Sequence, residues 1–113
     1  MYDEMKNAAD AEFRSTQDAW RTLRADWRLS DLEVRELLPD GMGLDGQPPV
    51  ATETRMRLLI AIGHRIDIHG DDLEDWLRFG TPVLGWLAPL EVMSGGLGDL
   101  RGLRDLADRG MLP

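Results

Sequence analysis

The chain has 113 residues, enough for one domain around a continuous core and too few for two cores of ordinary size. Hydrophobic residues at 42% and charged residues at 30% exclude a disordered tail, and the absence of cysteine excludes disulfides and thiolate metal centres. A net charge of −8 opposes nonspecific attraction to nucleic-acid phosphate, and no apolar run approaches the roughly 20 residues of a membrane span.

From Met1 to Phe13 the chain carries four acidic residues and no apolar run, unlike a secretory signal, so a cytoplasmic protein is expected. The first helix is predicted from about Asp3 to Arg24, with Phe13, Trp20, Leu23 and Trp27 near helical spacing. Four tryptophans, each able to bury roughly 150–250 Å², anchor a core without covalent staples. A second helix is predicted to begin at Ser30, where Ser30 and Glu33 have capping-box spacing, with Leu32, Val34, Leu37 and Leu38 as its apolar side and Pro39 as its end.

From Asp40 to Ala51, Gly41, Gly43, Gly46, Pro48 and Pro49 predict a long irregular connection. The third helix is predicted from about Thr52 to His69, with Met56, Leu59, Ile60, Gly63 and Ile66 inward and Glu53, Arg55, Arg57 and Arg65 off that face. Gly70 is read as its left-handed cap, and a fourth helix starts at Asp71 with Glu74 three residues on. After a turn at Gly80 and Pro82, Pro89 opens a short fifth helix with Leu90, Val92 and Met93. Gly95 and Gly96 stop it, and Leu100, Leu103, Leu106 and Ala107 mark a sixth helix to about Arg109, closed by Gly110. No segment alternates long enough for a strand, so the fold class is an all-α, compact bundle of about six helices, organised as a helical region over 1–70 and a second over 71–113.

Within the second region, Trp76 and Leu77, Pro82, Leu84 and Gly85, then Pro89, Leu90, Glu91 and Met93, then Gly95 or Gly96, Leu100, Arg104, Leu106, Asp108 and Gly110 form a spaced pattern. That pattern resembles the C-terminal toxin-binding domain of the Xre/MbcA/ParS antitoxins. Upstream, Trp27, Ser30, Leu37, Leu38 and the run from Thr54 to Ile62 resemble the degenerate helix-turn-helix half of such proteins, placing a helix-turn-helix-like region at 1–70 and the toxin-binding domain at 71–113. The resemblance implies a type II antitoxin without chemistry of its own. It would neutralise a RES-domain, NAD-consuming toxin by covering the active-site cleft, and the NAD would belong to the toxin. It also implies a homodimer or a toxin–antitoxin hetero-oligomer.

The implied partner-binding residues are Trp86 and Leu87 in the turn before Pro89, Arg104 and Asp108 on the last helix, and the segment Arg109, Gly110, Met111, Leu112 and Pro113. Trp86 departs from the family, which more often has a small or polar residue there; a loop aromatic between turn formers is suited to anchor an interface. The alternative is a helix-turn-helix repressor in which Arg55, Arg57 and Arg65 contact DNA phosphate. Against it, no lysine or arginine stands between Asp40 and Thr54, while Asp40, Asp45 and Glu53 repel phosphate.

Other constellations fail on spacing. His64 and His69 are five apart, so their rings leave a helix on different faces, whereas zinc-binding pairs use a spacing of four. The carboxylate pairs Asp71 with Asp72 and Asp105 with Asp108 sit among charged neighbours on presumed solvent faces. The glycine-rich turn at Ser94, Gly95, Gly96 and Gly98 follows no strand and precedes no lysine, unlike a phosphate cradle. Neither a catalytic residue nor a cofactor is expected.

Overall fold

Spacings of three and four put Trp20, Leu23 and Trp27 on one side of a helix, and all three are buried. A computed structural model describes the backbone of residues 2–39, 41 and 50–113, with side chains from residue 14 onward. The helix, α1, spans Tyr2–Asp26 and is about 37 Å long at 1.5 Å per residue. It runs along a molecule measuring 50 × 28 × 27 Å. The side chain of Phe13 and the connection expected over 40–51, apart from Gly41, Val50 and Ala51, lie outside the described residues.

α1 ends in a Schellman turn: the Arg28 amide donates to Ala25 O and the Leu29 amide to Arg24 O. Arg28 occupies the left-handed position, φ +52°, that glycine normally takes. Its guanidinium bonds Asp71 and Glu74 across the molecule, and those two hydrogen bonds raise its pKa further above the ordinary arginine value.

α2 (Asp31–Leu37) begins with the expected capping box. Ser30 Oγ accepts from the Glu33 amide at 3.1 Å, and the Glu33 carboxylate accepts from the Ser30 amide at 3.0 Å. Leu37 and Leu38 enter the core; Leu32, expected with them, is exposed, because the seven-residue helix has room for only one narrow buried edge. Glu33 also receives two hydrogen bonds from Arg78, whose guanidinium reaches Trp27 O and Arg28 O as well.

α3 (Val50–Gly63) is the central helix, packed on α1 and on the last helix through Met56, Leu58, Leu59 and Ile62. Gly63 lets α1 approach: a Cβ there would lie 3.2 Å from Leu23 and 3.4 Å from Trp27. The helix stops at Gly63, short of the expected His69. Beyond it Ile66 is buried, Asp67 exposed, Ile68 half-buried and His69 exposed, an alternation that a non-helical stretch satisfies and a helix would not.

Gly70 is left-handed, φ +61°, as expected, but it opens α4 (Gly70–Arg78) rather than closing α3. Asp71 and Glu74, expected as a cap, instead hold Arg28. A 3-10 turn at Pro82–Leu84 precedes α5 (Pro89–Met93), with Pro89 in its first turn, and α6 (Leu97–Asp108) follows. The described residues thus form six α-helices and one 3-10 turn without a strand: an all-α bundle. One core draws on both halves of the chain, from Trp20 to Leu112. Among the described residues, no helix is long and apolar enough to cross a membrane.

Candidate partner-binding surface

The chain between α4 and α5 has no charged side chain from Phe79 to Ala88, and its shape is set by main-chain bonds. The amides of Leu84 and Trp86 both donate to Thr81 O, at 3.1 and 2.9 Å, and the Thr81 amide donates to Leu87 O at 3.2 Å. Gly85 and Trp86 are consecutive left-handed residues, φ +65° and +68°. For glycine that conformation is ordinary; for tryptophan it costs about 1 kcal/mol or more, so the surrounding bonds must impose it.

Two further features fix this loop to the body. Ala88 and Pro89 are buried beneath it. A Cβ on Gly80 would lie 2.2 Å from Trp86 O, so the Trp86 backbone rests against the chain leaving α4. Leu84 packs against the core, and the loop carries Val83, Trp86 and Leu87 outward beside the end of that helix. Trp86 is 73% exposed, Phe79 66%, Leu87 49% and Val83 42%. Exposed apolar side chains are individually common, but four within nine consecutive residues, two of them aromatic, are a feature of interaction sites.

Trp86 and Leu87 are thus on the surface, and Phe79 and Val83, not singled out from the sequence, join them. The sequence carries a signal for Phe79: it follows Asp72 and Asp75 at spacings of three and four, in register with the polar side of α4 rather than with Leu77, and stands just past the end of that helix.

The last expected site divides differently. Gly110, φ +71°, closes α6 in a second Schellman turn, its amide donating to Ala107 O and that of Met111 to Leu106 O. Asp108 lies between Arg65, at 3.3 Å, and Arg104, at 3.9 Å, while Arg109 pairs with Asp105 at 3.1 Å. Met111 and Pro113 are exposed, but Leu112, expected in a partner's cleft, is in this chain's own core. The turn at Gly110 folds the segment back, and the Asp67 amide donates to Pro113 O at 2.9 Å.

Arg55, expected to face phosphate, is 5% exposed. Nε donates to Leu37 O at 2.5 Å, and the two terminal nitrogens donate to Gly95 O and Met93 O at 2.7 Å each. The guanidinium satisfies the carbonyls that end α2 and α5, so it is a clamp inside the fold. Arg57 pairs with Glu53 on its own helix at 2.8 Å, and Arg65 with Asp108. His64 lines a groove of about 190 Å³ between α1 and α3 with Leu23, Trp27 and Ile60, whereas His69 stands at the start of α4.

Comparison of the chain with protein-family models, with characterised proteins and with solved structures returns no match.

Proposed function

We propose that this chain acts by binding another protein, as the antitoxin of a type II toxin–antitoxin pair, and that the loop around Trp86 is its principal anchor. The partner expected from the sequence pattern is a RES-type, NAD-consuming toxin whose active-site cleft the antitoxin covers. The observation that carries the reading is a tryptophan three-quarters exposed and locked in a left-handed conformation, which serves no purpose in this chain's own core. A preorganised aromatic gives up little conformational entropy on binding, which is why such residues become interface hot spots. The repressor reading has less support, since Arg55 is committed to the interior and Arg57 and Arg65 pair with carboxylates.

Co-expression with the product of the adjoining reading frame tests this. The two chains are expected to purify together, with the partner's consumption of NAD suppressed. Trp86→Gly removes the indole and relieves the backbone at once, so it is expected to leave stability within about 1 kcal/mol while abolishing co-purification. A chain that purifies alone and leaves NAD consumption unchanged counts against the proposal.

A further inference from the structure

The exposed loop begins at Phe79, the residue that caps α4, and Asp72 and Asp75 stand on one exposed side of that helix, Asp75 one turn before Phe79. Both carboxylates are exposed, and neither has an ion-pair partner among the described residues. Asp71 and Glu74, by contrast, are taken up by Arg28. The surface is therefore two-part: an uncharged apolar knob of Phe79, Val83, Trp86 and Leu87, and an acidic flank on one side of it.

We infer that the occupant of this surface is a protein cleft that is apolar at its centre and lined with lysine or arginine along the side that meets α4. The inference rests on the protein-binding reading above and names the chemistry of the partner. Size supports it. Phe79, Val83, Trp86 and Leu87 at their observed exposures offer roughly 450 Å² together, well short of the roughly 800 Å² that each partner contributes to a stable interface. The knob is thus the centre of a contact whose rim includes the neighbouring helix, and the charge of that rim is negative.

Charge also discriminates among occupants. A second copy of this chain would bring Asp72 and Asp75 toward like charges under a net charge of −8 on each copy. Nucleic acid and an anionic membrane surface meet the same repulsion. A basic rim alone converts both carboxylates into attractive contacts and steers the encounter.

A helical peptide built only from leucine and lysine presents that chemistry, and a leucine–glutamate peptide of the same pattern is its control. The purified full chain is titrated with each and followed by amide and indole NMR signals, at low and high salt. The leucine–lysine peptide is expected to shift signals over 72–87, Trp86 indole included, and the glutamate peptide to shift none. Trp86→Ala should weaken binding about tenfold or more at either salt concentration. Asp75→Lys should weaken it severalfold at low salt only, whereas Asp18→Lys, the same charge change on α1, should not. Shifts spread over all acidic faces, equal effects of Asp75→Lys and Asp18→Lys, or a dimer of the chain alone that Trp86→Ala dissolves would each overturn the inference. Because the peptides replace the toxin, this result stands or falls separately from co-purification of a toxin.

Discussion

A guanidinium buried among main-chain carbonyls is stable only while its donors remain satisfied, and Arg55 spends three of its nitrogens on Leu37, Gly95 and Met93. Replacing it strands the acceptors that end two helices. Arg55→Met keeps much of the side-chain volume and removes the donors; it is expected to lower the unfolding free energy by about 3 kcal/mol. Arg55→Lys should recover little of that, since one ammonium cannot span carbonyls that a planar fork reaches from separate nitrogens. Urea unfolding followed by tryptophan fluorescence measures both, and losses under about 1 kcal/mol would show that the carbonyls find other donors. Nothing in the sequence separates Arg55 from Arg57, which lies two residues on and faces outward. The difference comes from acceptors 18 to 40 residues away in the chain, and spacing rules do not register so distant a partner.

At the level of elements, what was legible is what the backbone decides locally. Ser30 with Glu33, Pro89 in the first turn of α5 and left-handed Gly110 all follow from hydrogen-bond and φ constraints that span four or five residues. The end of α3 is not legible in the sequence, because Ile66 fits the helical stripe of Met56 and Leu59 as well as it fits alternation with Ile68. The docking of α1 on Gly63 and the bond from the Asp67 amide to Pro113 O favour alternation. The loop after α4 lies between these cases: its turn residues were visible, whereas the contact of Gly80 with Trp86 O was not. That contact makes a prediction for the loop as a unit. Gly80→Ala places a methyl group 2.2 Å from a backbone oxygen, which cannot swing aside as a flexible side chain would. The loop must open, at a cost of about 1–3 kcal/mol. Circular dichroism should keep its helical signal while binding through Trp86 falls, although the indole itself is untouched; unaltered binding would mean that the loop's shape is irrelevant to it.

Across the whole molecule, α1, α2 and α4 meet at one ion pair. Arg78 donates to Trp27 O and Arg28 O at the end of α1 and to both carboxylate oxygens of Glu33. Desolvation by itself would raise the Glu33 pKa. The Ser30 amide and the Arg78 guanidinium outweigh it, and the net effect is a pKa below the ordinary glutamate value. A carboxyl whose pKa is lower folded than unfolded stabilises the fold above its unfolded pKa, and that contribution disappears as pH falls through the folded one. The ordinary value is 4.5, so the loss begins near that pH and continues below it. Glu33→Gln keeps the shape of the capping box but cannot become charged. Its melting temperature should be lower than that of the native chain at pH 7, and the gap should close as both are acidified toward pH 3. Other carboxylates titrate over the same interval, so the decisive quantity is the difference between the two curves rather than either slope. A difference that stays constant from pH 7 to pH 3 would mean that Arg78 holds the three helices through the carbonyls of Trp27 and Arg28 alone, with the charge on Glu33 contributing nothing.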